Sequence, residues 1–361
     1  MKSLKLNKTT RWNYLTYLLV ILAYVILQVL GSAGAISSSL KGMLVPICAY
    51  IVMAISLNLT VGVLGELSLG HAGFMSMGAF TGVTAAIALQ DAIPAAPLRM
   101  AIALLVGAAF AALAGFLIGI PVLRLNGDYL AIVTLAFGEI IKSIFNNLYV
   151  GVDSKGIHMS LLSDKTNLAE GGKLIIAGPM GIGGIQKIST FTAGFVLVMI
   201  TLIVVFHLVN SRAGRAIMAI RDNRIAAESV GVNVTKYKMM AFVTSAALAG
   251  MAGALYGLNF SSLTATKFKF DTSILVLVFV VLGGIGNIRG SVIAATLLTV
   301  LPEVLREFGD YRMLVYAIVL IAVMLATNSP LLFNLMEKCR TAAARMTRGR
   351  AKAQGKEGDA A

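Results

Sequence analysis

Ten apolar segments dominate this chain of 361 residues, and each is close to the length that crosses a lipid bilayer. A helical span needs about 20 predominantly apolar residues. Because lipid offers no water to satisfy a backbone, spanning segments form helices, and we predict an all-α, polytopic membrane protein with about 8–10 transmembrane helices, some of them broken or re-entrant. The segments are 12–30, 43–63, 71–90, 99–120, 127–148, 190–209, 238–258, 272–286, 289–304 and 312–335.

Charge is scarce and uneven along the chain. Only 13% of the residues are charged, against about a quarter in a soluble protein, yet the net charge is +14. The cations cluster in both tails and in the loop 210–238, beside apolar spans, so we predict contact with membrane lipid and no nucleic acid. The positive-inside rule and an even number of spans put both termini and this loop in the cytoplasm.

Three regions follow from this pattern: a basic tail at 1–11, a transmembrane domain at 12–336, and a basic, disordered tail at 337–361. The apolar run from Tyr14 to Leu30 is longer than the apolar core of a usual signal peptide, so we expect an uncleaved first span. The segment 149–189 is expected to be an outward-facing loop, and its Gly178-Pro-Met-Gly turn cannot be a regular helix.

The loop 210–238 is longer than a simple connection between two helices requires. Its basic residues far outnumber its acidic ones, and its sequence predicts short helices with a docking role. The cations are Arg212, Arg215, Arg221, Arg224, Lys236 and Lys238, against Asp222 and Glu228.

A second unusual stretch begins at Asn58, where glycines interrupt an otherwise apolar helix and Glu66, Ser68 and His71 lie among them. Irregular backbone at membrane depth persists only where protein or a water-filled cavity satisfies it, and broken helices point to a transport pathway. A gate or pathway and a solvated loop at the membrane face both fit these residues. A further glycine cluster spans 283–290.

Several smaller patterns have structural interpretations. Glu139 and Lys142, one turn apart, are expected to pair with each other, and Asp128 is expected to cap a helix. Small residues spaced four apart indicate close helix packing. These are Gly115 and Gly119, and Ala249, Gly253 and Gly257.

No enzyme motif is present in the sequence. It lacks H-E-x-x-H and G-x-x-x-x-G-K-[ST], and its three histidines are scattered, so we expect no catalytic residue, metal site or cofactor. If ATP drives transport, another chain must bind it.

Four motifs in order resemble the permeases of branched-chain amino acid ABC importers, closest to the LivM type. They are Gly65-Glu-Leu-Ser-Leu-Gly-His-Ala-Gly-Phe, Gly127-Asp-Tyr-Leu-Ala-Ile-Val-Thr-Leu, Gly178-Pro-Met-Gly-Ile, and Gly214-Arg-Ala-Ile-Met-Ala-Ile-Arg-Asp-Asn. The resemblance covers roughly residues 40–335. Many members of the family end the last span with Arg-Pro-x-Gly-Leu, where this chain has Thr327-Asn-Ser-Pro-Leu. They often have a proline after the late glycine turn, where this chain has Ser291.

The resemblance implies a multi-pass subunit of the bacterial inner membrane that imports Leu, Ile or Val. Its implied partners are a homologous second permease, two cytoplasmic ATP-binding subunits and a periplasmic amino-acid-binding protein. Residues 221–231 would form a coupling helix in an ATPase groove. The residues expected to contact the ATPase are Arg221, Asp222, Ala226, Ala227, Glu228 and Gly231. Those expected at the substrate pathway or gate are Asn58, Glu66, Ser68 and His71.

Alternatives remain open at this stage. Related permeases carry urea, amides or other amino acids, so the resemblance does not fix the substrate. An ion-coupled secondary transporter would work without a second permease or an ATPase, and would need ionisable groups at the membrane midplane.

Overall fold

The computed structural model describes residues 8–34, 37–125, 127–153, 156–161 and 173–328. The chain divides into two compact units, Met1–Val300 and Leu301–Ala361. The predicted tail at 337–361 and most of the tail at 1–11 lie outside the described residues. The first helix begins at Lys8, within the segment predicted as a tail.

Helices occur at all ten predicted apolar segments, which confirms the all-α, polytopic fold class. Their bounds are α1 Lys8–Ser32, α2 Ser38–Asn58, α3 His71–Ala88, α4 Ala96–Val122, α5 Asp128–Asn147, α6 Phe191–Asn210, α7 Arg212–Asp222, α8 Arg224–Ser229, α9 Val234–Gly257, α10 Phe270–Gly283, α11 Ile288–Val304 and α12 Arg312–Asn328. A π-helix at Leu59–Leu64 continues α2, and 3-10 turns lie at Gly178–Met180, Ala265–Phe268 and Leu305–Tyr311.

Five helices of the described residues are both long and apolar enough to cross a membrane. They are Leu15–Ser32, Ser39–Leu64, Ala96–Val122, Phe191–Asn210 and Val234–Gly257, and the shorter Phe270–Gly283 is also apolar. The chain is therefore a multi-pass membrane protein. The count of about 8–10 spans stays a prediction, since the remaining helices are shorter or carry more charge.

Small residues let three central helices, α3, α4 and α9, approach closely. A Cβ added to Gly253 of α9 would lie 1.9 Å from the Met75 carbonyl oxygen of α3, and one added to Gly115 of α4 would lie 2.6 Å from Ala246 Cβ. Such contacts leave no room for a side chain, as at other small-residue membrane interfaces. The packing interpretation of the four-residue spacings is confirmed.

The segment predicted as a loop at 149–189 contains a three-stranded antiparallel sheet, so that prediction was incomplete. Strands β1 Leu148–Asp153, β2 Gly156–Leu161 and β3 Lys173–Ala177 lie in the order β2-β1-β3. The sheet buries apolar residues of β1 and β3, including Val150 and Ile176, which lie opposite each other in neighbouring strands. The Gly178 turn is a single 3-10 turn, as its glycine and proline predict.

Two predictions about α5 have different outcomes. Lys142 forms an ion pair with Glu139, as expected from their spacing. Asp128 is the first residue of α5 rather than its cap, because Gly127 occupies the capping position. A carboxylate in the first turn still interacts favourably with the positive end of the helix dipole.

Candidate functional site: a broken helix in contact with the basic segment

The second span ends in a π-helix whose six residues, Leu59–Leu64, are all buried. Gly65 then turns the chain with φ +81, a conformation that favours glycine. Residues 65–70 form no regular helix before α3 begins at His71. We call residues 59–70 the broken segment. Single π-helical turns within α-helices occur frequently at functional sites.

Protein groups satisfy the backbone of the broken segment. Thr134 Oγ1 of α5 accepts a hydrogen bond from Leu69 N at 3.1 Å, and Ser273 Oγ of α10 accepts one from Ala72 N at 3.0 Å. A Cβ on Gly70 would lie 2.0 Å from the Thr134 carbonyl oxygen. The irregular backbone is therefore enclosed by neighbouring helices, which is the condition for its survival at membrane depth.

Asn58 joins the broken segment to the second glycine cluster. Its side chain is fully buried, donates from Nδ2 to Ser291 Oγ at 2.7 Å, and accepts from Gly286 N at 2.9 Å. A Cβ on Gly62 would lie 2.3 Å from Gly286 N. The two glycine clusters that the sequence singled out therefore meet in space.

His71 belongs to a buried polar network between three helices. Its Nε2 lies 2.8 Å from Ser56 Oγ, and it is 1% exposed. Ser245 Oγ of α9 donates to the Ser56 carbonyl at 2.6 Å and lies 2.9 Å from Thr60 Oγ1. The interpretation of His71 as part of a solvated loop is wrong, because the residue is buried and its Nε2 is hydrogen-bonded inside the protein.

Glu66 and Ser68 are also withdrawn from solvent. Glu66 pairs with Lys238, and their side chains are 13% and 4% exposed. Lys238, expected among the cations of the basic loop, is thus neutralised by the broken segment. Ser68 is fully buried, and its hydroxyl has no hydrogen-bond partner within the described residues.

Residues 210–238, here called the basic segment, form two short helices as predicted. The single coupling helix implied for 221–231 is wrong, because Asn223 has an extended backbone that ends α7 and begins α8. The Asn223 side chain accepts from Ala226 N at 3.0 Å and so caps α8. Gly231, with φ +84, follows α8 beyond its last turn.

Arg221 lies between the basic segment and the broken segment. Its Nη1 donates to the Gly62 carbonyl at 2.9 Å, and its Nε and Nη2 donate to Asp222 Oδ1 at 3.0 and 2.9 Å. A Cβ added to Gly65 would lie 2.5 Å from the Arg221 Cγ, so only glycine fits beside this side chain. Arg221, predicted for coupling, is therefore in direct contact with the broken segment, which holds two of the predicted pathway residues, Glu66 and Ser68.

The outward face of α8 differs from the predicted one. Ala227 is buried with Ile220 and Val234 in a small apolar core, so it is not a surface residue. Ala226 and Glu228 are exposed, and Glu228 pairs with Arg224 at 3.1 Å.

Two residues that the sequence reasoning missed stand out on α8 and directly after it. Ile225 is 79% exposed and Val230 is 77% exposed. Their signal in the sequence is an isolated apolar residue on each side of Ala226-Ala-Glu-Ser. In the free chain, both side chains therefore leave most of their apolar area in contact with solvent.

Comparison with known proteins gives a consistent result. The family model described as branched-chain amino acid transport system permease component matches residues 39–324. High-affinity branched-chain amino acid transport system permease proteins LivM of Salmonella typhimurium and Escherichia coli are each 35% identical over 290 residues, 76% of this chain. The chain spans 66% of the length of these relatives.

A fructose import permease protein, FruG of Bifidobacterium longum, is 28% identical over 249 residues, which cover 65% of this chain and 67% of FruG. No solved structure matches the chain.

Proposed function

The chain belongs to the branched-chain amino acid transport system permease family, and on this premise we propose that it is the permease subunit of a bacterial ATP-driven importer for Leu, Ile and Val. The names of its LivM relatives support this substrate class. The subunit forms part of the translocation pathway and has no ATPase site of its own.

Its partners in this proposal are a homologous second permease, two cytoplasmic ATP-binding subunits and a periplasmic amino-acid-binding protein. The importer lies in the inner membrane, with residues 12–336 as the transmembrane permease domain. Both basic tails and the basic segment face the cytoplasm, which agrees with the position of cations beside the ends of α6 and α9.

The contact of Arg221 with Gly62 carries the proposal, since it joins the segment that would meet an ATPase to the helix that is broken. A displacement of α7 and α8 reaches the π-helix through the 2.9 Å hydrogen bond from Arg221 to the Gly62 carbonyl. Asn58 passes the displacement to the glycine turn through Gly286. ATP-driven closure of the partner subunits thereby shifts the broken segment between two arrangements.

Glu66, Ser68 and His71 act in this scheme as a gate rather than as groups in open water. The Glu66–Lys238 ion pair ties the broken segment to α9, and the contact of His71 with Ser56 ties α3 to α2. Breaking a buried ion pair leaves an uncompensated charge, so the gate opens only when both groups gain new partners or water.

Reconstitution tests the proposal directly. Proteoliposomes contain this chain, the second permease and the two ATP-binding subunits, with ATP inside and the binding protein outside. They are expected to accumulate radiolabelled Leu, Ile and Val. Fructose, ribose, urea and a short amide serve as competing substrates. Uptake of one of these instead, or uptake by this chain alone driven by an ion gradient, would contradict the proposal.

A further inference from the structure

A polar cavity of about 450 Å³ opens on one face of α5, beside the turn that precedes α10. Six polar side chains line the cavity: Glu139, Lys142, Ser143, Asn146, Thr266 and Lys269. Four of the six come from α5 itself.

The α5 contribution is a single stripe. Gly138, Glu139, Lys142 and Asn146 recur at three- and four-residue intervals and so share one helix face. With 20 residues α5 is about 30 Å long, the thickness of a hydrocarbon core. α5 is not one of the five described helices that are apolar enough to span, and its charged stripe lies in its C-terminal half, next to β1.

The charges of the cavity do not cancel. Glu139 and Lys142 pair with each other, whereas Lys269 is exposed and has no ion-pair partner within the described residues. One anion therefore faces two cations across the same space. A ligand carboxylate compensates the excess cation by bridging Lys142 and Lys269, and an ammonium group on the same ligand can share Glu139, so the cavity with a bound amino acid keeps a net charge of +1.

The cavity leads towards the broken segment. A much narrower space, of about 10 Å³, shares Glu139 and Lys269 with it and is also lined by Leu69, Ala72 and Ser273. This volume admits about one water-sized probe. A Cβ on Gly73 would lie 2.8 Å from Gly138 Cα, so α3 and α5 close the route here. The polar cavity thus ends at a constriction formed by the start of α3.

We propose that this cavity is an intermediate substrate-binding site for the charged backbone of an α-amino acid. The carboxylate lies at Lys269 and Lys142, and the ammonium group lies at Glu139. The inference rests on the proposed import of amino acids and names the residues that meet the substrate before the constriction. Ile140, which also borders the cavity, offers an apolar contact to an aliphatic side chain. A neutral sugar leaves the charges without complementary partners.

The test uses the complete importer in proteoliposomes, with radiolabelled L-leucine as the probe. Lys269→Gln and Glu139→Gln are each expected to lower the kcat/KM of leucine import by about 10- to 100-fold, the loss of one charge-assisted hydrogen bond. Lys269→Arg keeps the charge and retains import. Lys267→Gln removes an exposed cation from the same turn, outside the cavity, and serves as the matched control.

A wild-type kcat/KM of leucine import in both glutamine variants would overturn the inference, and so would an equal loss in Lys269→Arg and Lys269→Gln. A wild-type importer that does not carry leucine defeats the proposed function instead. If a glutamine variant does not assemble, the site is tested by thiol labelling of Ser143→Cys in a chain with Cys48 and Cys339 changed to Ala. A cationic thiol reagent added outside is expected to label the introduced thiol, and leucine delivered by the binding protein is expected to slow this labelling. Equal labelling rates with and without leucine would overturn the proposed site.

Discussion

Replacing Ile225 and Val230 with serine is expected to weaken ATPase docking without weakening the fold. Burying a whole Ile or Val side chain contributes about 1.5–3 kcal/mol. Since 79% and 77% of these residues are exposed in the free chain, nearly all of this contribution is left for a partner. The expected loss is about 1–2 kcal/mol each, or roughly 5- to 30-fold in Kd per residue.

The stability of the chain itself is the internal control. Neither side chain belongs to the small core of Ile220, Ala227 and Val234, so unfolding is expected to shift by less than about 0.5 kcal/mol. Ile220→Ser, in that core, is expected to destabilise the basic segment by about 2–5 kcal/mol. Ile225→Leu keeps the apolar area and is expected to keep the affinity.

The assay titrates purified ATP-binding subunit onto the two-permease complex in nanodiscs and measures Kd, with thermal unfolding of the same samples. The double serine variant is expected to raise Kd by roughly 30- to 900-fold. A change below about twofold with unaltered unfolding would refute the assignment of this face as the docking surface.

Three further predictions concern the broken segment. Arg221→Met is expected to lower substrate-stimulated ATP hydrolysis at least about tenfold while ATPase subunits still co-purify, because its guanidinium bonds the Gly62 carbonyl and the proposed docking area lies at Ile225 and Val230; loss of co-purification would contradict this. Gly62→Ala is expected to cost about 2–4 kcal/mol in thermal unfolding, whereas Gly183→Ala, with open space around it, is expected to be neutral. Lys238→Met is expected to cost about 3–5 kcal/mol, part of which returns in the double variant with Glu66→Gln; no recovery would show that the ion pair is not the cause.

The sequence predicted the helical class because each span must satisfy its own backbone, so apolar length alone locates the helices. The sheet of β1, β2 and β3 escaped this reasoning. Its strands are short and lie in a segment of mixed charge, and burial of Val150 and Ile176 depends on neighbours distant in the chain. Strand formation of this kind reflects packing more than local preference.

The candidate site shows the same division between local and distant information. Glycines, Glu66 and His71 marked the broken segment, and cations marked the basic segment, each from composition within a short stretch. Their contact joins residues 159 positions apart, Gly62 and Arg221. Nothing in the sequence indicates that the partly exposed Arg221 also reaches the Gly62 carbonyl, because that contact depends on how distant segments pack.

In the proposed mechanism, the contact of Arg221 with the Gly62 carbonyl divides coupling between two sets of residues in the basic segment. A docking surface needs exposed, replaceable apolar area, which Ile225 and Val230 provide. Transmission needs a rigid contact with the moving element, and a planar guanidinium held by Asp222 and bound to the Gly62 carbonyl provides this. We therefore propose that docking and transmission reside in different residues a few positions apart, and their variants are expected to separate binding of the ATPase from its control by substrate.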